Sequence, residues 1–164
     1  MPGALPRSPA YDDSAAPSAP PGILAHLDAV YGFALTLTGN AERAEALTED
    51  VFGHVPDDLW STLGGHGLRE RLLARCVTAY AQGVGSHGPV SLATPDSGAE
   101  HSGELGALLR GLPWDQRAAI ALVDQLGLPR SAGAAVLGTS VAEFRTLLHR
   151  GRRVLFAAYR ASAR

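Results

Sequence analysis

Residues 129–153 read PRSAGAAVLGTSVAEFRTLLHRGRR, and how that stretch divides decides the fold. Ala134, Val136 and Leu137 close a short first helix. Gly138 supplies a turn, because glycine alone takes positive φ without steric cost. Ser140 and Glu143 form an S-x-x-E capping box that fixes the start of a second helix. Val141, Phe144, Leu148 and Leu155 recur at helical spacing and are expected to form its buried face. Arg145, His149, Arg150, Arg152 and Arg153 fall largely off that stripe. A short helix, a glycine turn and a capped basic helix make a helix-turn-helix, whose second helix normally enters the DNA major groove. The competing reading is an ordinary helical hairpin with a solvated basic face. Agreement of cap, turn and charge favours DNA binding.

Outward from this stretch the charge is uneven. The net charge of −2 divides into 12 Asp/Glu against 5 Arg over residues 1–100, and 4 Asp/Glu against 9 Arg over residues 101–164. All 14 basic residues are arginine, whose planar fork suits phosphates and guanine edges. The carboxy-terminal part therefore suits nucleic acid and the acidic amino-terminal part does not. A hydrophobic content of 46% suffices for a core. No apolar run is long enough to span a membrane, and the start carries no secretory pattern. The single Cys76 excludes an internal disulfide and a cysteine-based zinc site, and reads as a small buried apolar residue. These features predict a cytoplasmic protein with no cofactor and no membrane partner.

Taken in order, residues 1–21 are rich in Pro, Ala and Ser and are expected to be a disordered tail. A helix over Ile23–Thr38 places Ile23, Leu24, Leu27, Val30, Tyr31, Ala34 and Leu35 on one face. Gly39 ends it and Asn40 can cap the next, Ala41–His54. That second helix buries Ala44, Leu47 and Val51 and shows Glu42, Glu45, Glu49 and Asp50 to solvent. Asp57 and Asp58 can start a short segment with Leu59, Trp60 and Leu63. Gly64, Gly65 and Gly67 mark a loop, and a helix from Leu68 to Ala81 follows. Residues 83–103 have the composition of a flexible linker. Beyond it, Leu105, Leu108, Leu109 and Leu112 form a short helix. Pro113 begins another with Ala119, Ile120, Val123 and Leu126 inward, ended by Gly127. No alternating apolar pattern supports a sheet. The expected architecture is all-α: two small helical domains, 22–82 and 104–164, each with its own core.

This order of parts resembles the extracytoplasmic-function (ECF) sigma factors, the smallest members of the sigma-70 family of bacterial RNA polymerase. These have two helical domains, region 2 and region 4, on either side of a linker. In the family the carboxy-terminal part reads LPxxQRxxLxLxxxxGLSYxEIAxxLGxSxGTVKSRLHRARRxL. Leu112-Pro113, Gln116-Arg117, Gly127-Leu128, Leu137-Gly138, Ser140-Val141, Arg145 and Leu148-His149-Arg150 stand in matching places. The resemblance implies that the second helix reads the −35 promoter element, with Ser140, Arg145, His149, Arg150, Arg152 and Arg153 as the DNA-binding candidates. Over Tyr31–Phe52 the family pattern LxxxALxLTGNxxDAEDLVQETF is matched by Ala34-Leu35, Leu37 to Asn40, Ala44-Glu45, Leu47 and Phe52. It implies docking on the β′ clamp coiled coil through Glu45, Glu49 and Asp50, an acidic face suited to a basic surface. The same resemblance implies the β flap as a further polymerase contact, and an anti-sigma factor as another partner.

The departures from the family pattern are specific. Ala46 replaces an Asp and Glu49 a Gln. Where the family has WLxxIARNxxxDxxRR, which melts and reads the −10 element, this chain offers Leu72, Cys76, Val77, Thr78, Ala79 and Gly83. Few cationic or aromatic groups remain there to hold a splayed strand. Ala132-Gly133 replaces a Glu-Ile pair, from which a lost core residue and a weakened helix are expected. Leu147 replaces an Arg. Two readings follow: a divergent ECF sigma factor, or a sigma-like regulator that docks on polymerase or an anti-sigma factor without melting promoters itself. An enzyme is disfavoured. His26, His54, His66, His87, His101 and His149 show no metal-site spacing, and no carboxylate pair stands in a motif.

Overall fold

The computed structural model describes residues 21–55, 65–87 and 104–162. Tail residues 1–20, the short segment expected at Asp57–Leu63 and linker residues 88–103 lie outside them, while Pro21, expected in the tail, opens the first helix. The described residues form helices and no strand, as expected: α1 (Pro21–Thr38), α2 (Ala41–Gly53), α3 (Gly65–His87), α4 (Glu104–Arg110), α5 (Trp114–Ile120), α6 (Arg130–Leu137) and α7 (Val141–Ser162).

The local signals act where they were read. Gly39 ends α1 at φ +66°, and the Asn40 side chain accepts the Arg43 amide at 2.9 Å to start α2. The Gly39 position is also tight, since a Cβ there would lie 2.7 Å from Arg110 Cδ. Gly127 and Gly138 take φ of +69° and +67°. Two expectations along α3 fail. The helix begins at Gly65 and runs to His87, so Gly65 and Gly67 are helical and residues 83–87 extend the helix into the presumed linker. Glycine lowers helix propensity by about 1 kcal/mol, which packing of the following apolar stripe offsets. After α5 the backbone widens into a π turn over Ala121–Gln125, with the Leu126 amide reaching Ala121 O at 2.9 Å. The apolar pattern around it gives no sign of this insertion.

Helices α1, α2 and α3 pack mutually, and α7 packs on α4, α5 and α6. The two groups also meet each other: α3 packs on α6, and α1 on α4 and α5. One buried cluster runs from Val30, Phe33 and Leu37 through Leu72, Leu73 and Cys76 to Leu122, Phe144 and Leu148. Two separate cores are therefore not what the chain forms. The reason lies on α3. Leu68 and Leu72 occupy one flank, while Arg69, Leu73, Cys76 and Tyr80 share the neighbouring stripe at helical spacing. Leu73 and Cys76 are fully buried. From that stripe Arg69 Nη2 donates to Leu126 O at 3.1 Å, and the Tyr80 ring lies 6.0 Å from that of Trp114. A helix buried on both flanks joins the two halves.

Arg117 completes the junction from the other side. It is 8% exposed. Its Nη2 donates to Leu37 O at 2.7 Å and approaches the Tyr80 hydroxyl at 3.4 Å, and its Nη1 donates to Arg110 O at 3.2 Å. Leu37 O belongs to the last turn of α1, where carbonyls lack intrahelical donors and the helix dipole is negative. Burial pulls the guanidinium below its ordinary value, and Tyr80 partly restores it. The sequence marked Gln116-Arg117 only as a family match. Its structural role is to tie α5 to the end of α1.

Candidate nucleic-acid interface

The second helix of the motif is set by its cap. Glu143 accepts the Ser140 amide at 3.0 Å and the Ser140 hydroxyl at 2.8 Å. In return the Glu143 amide donates to Ser140 Oγ at 3.2 Å. These bonds, led by the one from the Ser140 backbone, hold the Glu143 carboxyl below its usual range. Both polar atoms of Ser140 are thereby engaged in the cap. Upstream, the Thr139 amide closes on Ala134 O at 3.0 Å, the usual bonding around a left-handed glycine.

Phe144 and Leu148 anchor α7 as expected, and Leu155 is half-buried. Val141 is not part of the buried face: it is 46% exposed. It stands in the first turn, before α7 comes under α6. The Gly133 substitution does not leave a hole. A Cβ on Gly133 would lie 2.5 Å from Phe144 Cζ, so the Phe144 ring fills the space that a side chain at position 133 would need. The family pattern has Val where this chain has Phe144, and the pair exchanges large for small. Gly151 allows a second close approach, with a Cβ there falling 2.9 Å from Ile120 Cδ1. These two glycines seat α7 against α6 and α5 and fix which face it shows to solvent.

That face is a shallow groove of about 540 Å³ lined by Arg130, Arg145, Arg150, Arg152 and Arg153 together with His149. Ala142 and Thr146 form part of its floor. The motif thus brings together the expected Arg145, His149, Arg150 and Arg153, all exposed, and adds Arg130. Periodicity along α7 could not find Arg130, because it opens the first helix. The signal was the turn itself, which returns the start of one helix beside the other. Arg152 differs from the rest. Its Nε donates to Asp124 Oδ2 at 3.0 Å, and its Nη2 meets Asp124 Oδ1. The hydrogen bonds from this carboxylate raise Arg152 above its ordinary value.

On α2, Glu42, Glu45, Glu49 and Asp50 are exposed as read, while Ala44, Thr48 and Val51 face the core. Leu47 is half-buried rather than buried. Asp50 Oδ1 lies 3.2 Å from His54 Nδ1, so Glu45 and Glu49 are the residues of the expected trio not tied to that imidazole. Among the described residues no group of three His, Cys, Asp or Glu could hold a metal ion, and no helix is long and apolar enough to cross a membrane. Cys76 is buried, and burial pushes its thiol up to about 12.

Residues 102–155 match the family model for sigma-70, region 4. Among solved structures the fold is similar to that of the sigma factor RpoE, in complex with the anti-sigma factor NepR from Bartonella quintana. The TM-score is 0.69 at 21% identity, over 84% of this chain and 93% of that one. No curated protein matches the chain in sequence. Residues 102–155 thus resemble sigma-70 region 4, as the sequence motifs implied, and the fold of the chain is similar to that of RpoE.

Proposed function

We propose that the chain is a member of the sigma-70 family and directs transcription initiation by docking on core RNA polymerase through α2 and on a −35 promoter element through α7. The observation that carries the reading is the groove of Arg130, Arg145, His149, Arg150 and Arg153 on a capped second helix. Arginine forks at the exposed start of such a helix suit guanine edges and phosphates. The acidic face of Glu45 and Glu49 on α2 is chemically suited to a basic coiled coil such as that of the polymerase β′ clamp. The exposed apolar side chains of Leu105 on α4 and of Phe156 and Tyr159 near the end of α7, which line one groove, offer a surface for the β flap. The reading assigns the chain no catalysis and no cofactor, and a cytoplasmic location.

A second reading is favoured by one feature. The Leu73 and Cys76 stripe of α3, within the segment that aligns with the family's −10 pattern, is turned onto the carboxy-terminal helices. A chain held in that state would dock on polymerase, or on an anti-sigma factor, without opening promoters unaided.

Capture of core polymerase by the purified chain tests the shared part. Charge reversal at Glu45 and Glu49 is expected to weaken capture, mainly through slower association. Run-off transcription with core polymerase then separates the two readings. Binding of neither polymerase nor duplex DNA would overturn both.

A further inference from the structure

Asp124 and Arg152 stand 28 residues apart and meet through two parallel hydrogen bonds. The pair is poorly placed to stabilise the fold. Its side chains are 42% and 45% exposed, and exposed ion pairs contribute little. It is well placed to control charge. Among the described residues, Arg152 is the arginine of α7 that bonds a carboxylate, and it lines the basic groove. Asp124 takes the Nε–Nη2 edge of the guanidinium, one of the two edges through which an arginine can hold a phosphate or guanine in bidentate fashion. Asp124 itself stands in the π turn of Ala121–Gln125, outside the two helices of the motif. The buried cluster packs Leu122 beneath that turn and so holds the carboxylate in place.

We propose that Asp124 is a specificity-determining residue that acts as an internal substitute for phosphate, keeping Arg152 off DNA when α7 is bound. The inference rests on the DNA-binding reading of α7. Its consequence is a basic face with one phosphate contact fewer than its arginines would allow. Phosphate contacts drive sequence-independent binding. Withholding one lowers affinity for arbitrary duplex and leaves base contacts from the remaining residues to carry a larger share. Arg152, a DNA-contact candidate from its position on the helix, becomes a partner of its own domain.

The test uses the full chain and a fluorescent duplex of arbitrary sequence, titrated between 50 and 200 mM salt. The variants are Asp124→Asn, Arg152→Gln, the double variant, and Arg150→Gln as a positive control. Asp124→Asn preserves shape and removes charge. It should bind more tightly, with the salt slope steeper by about 0.9, so that its advantage over wild type is about 3.5-fold larger at 50 mM than at 200 mM. Arg152→Gln alone should leave affinity and slope unchanged, and in the double variant it should abolish the gain. Arg150→Gln should flatten the slope in every background. Three results would overturn the proposal: no gain from Asp124→Asn, a gain that survives loss of Arg152, or a slope already flattened by Arg152→Gln alone. Duplex binding that is unaffected by Arg150→Gln would instead overturn the DNA-binding reading of α7, and the proposal with it.

Discussion

Arg117 Nη2 donates to Leu37 O across 2.7 Å, joining positions 80 residues apart in the chain. The carbonyl is one that the end of α1 leaves without an intrahelical donor, and the guanidinium is buried. Each is costly to bury alone and tolerable together. The bond therefore reports how strongly the two halves of the molecule are coupled. Arg117→Ala should lower unfolding free energy by about 2–4 kcal/mol, the range for losing charge-assisted hydrogen bonds in a buried site. Arg117→Lys should not restore it, since an ammonium cannot reproduce the planar fork that spans Leu37 O and Arg110 O. Urea titration followed by far-ultraviolet circular dichroism measures both. The continuous core also predicts a single transition for wild type. Two separated transitions, or a change below about 0.5 kcal/mol in Arg117→Ala, would mean that the halves are only loosely associated.

Gly133 and Phe144 share one volume. Gly133→Ala should help the helix by up to about 1 kcal/mol in propensity and lose more to the ring 2.5 Å from its new carbon. Overpacking of this kind costs roughly 1–3 kcal/mol, so the net effect should be destabilising. Phe144→Val alone opens a cavity and should also destabilise. The double variant should be more stable than the two separate losses add up to, because each change relieves the other. Thermal unfolding of the four proteins gives the coupling. Strict additivity would show that the ring moves aside freely.

The distribution of what the sequence disclosed follows from the range of each physical signal. Caps and turns are local: Asn40, Gly39, Gly127, Gly138 and the Ser140–Glu143 box could be read within a few residues and all act as read. Amphipathic stripes are also local, so α1, α2 and α7 lie close to their expected bounds. Three features were not local. The outer stripe of α3 is apolar like any core stripe, and nothing in Leu73 or Cys76 says which neighbour covers it. Arg117 stood in the sequence only as a match to the family pattern, and nothing local shows that Leu37 O lies beside it. The pairing of Asp124 with Arg152 depends on a π turn whose apolar spacing is indistinguishable from that of an α-helix. In the groove, Arg145, His149, Arg150 and Arg153 were legible from helical phase, whereas Arg130 required the tertiary return of the motif.

His26 is buried on α1, and burial, with Arg69 as a lesser cause, lowers its pKa below 6.5. The unfolded chain therefore binds a proton on this side chain at a higher pH than the folded chain does. Unfolding takes up that proton as pH falls below about 6.5, and stability decreases in the same direction, with a slope of at most about 1.4 kcal/mol per pH unit from this group. The stabilisation is fully present above that range. His26→Gln should flatten this part of the profile relative to wild type. Unfolding midpoints between pH 5 and 8 test it, and an unaltered profile in the variant would show that His26 does not contribute.

Promoter opening makes the most demanding use of α3. Separating a duplex costs about 1.4 kcal/mol in stacking for each base-pair step, and bound single strands must return that energy through aromatic platforms and cations. On α3 the aromatic Tyr80 is directed to Trp114 and Arg117. Arg69 is bonded to Leu126 O, while Leu73 and Cys76 are fully covered. Thr78 and Ala79 stand where the family has an Arg-Asn pair, and neither can stack on a base or neutralise a phosphate. Exposing the stripe would first require parting α3 from α6, at the expense of the apolar burial between them. With core polymerase and a matched promoter, this chain should leave thymines of the −10 element largely unreactive to permanganate. Footprinting should still protect the −35 side through α7, because its basic groove is exposed in the joined state. Strong thymine reactivity without an added factor would show that polymerase itself separates the two halves, and that the departures along α3 do not prevent melting.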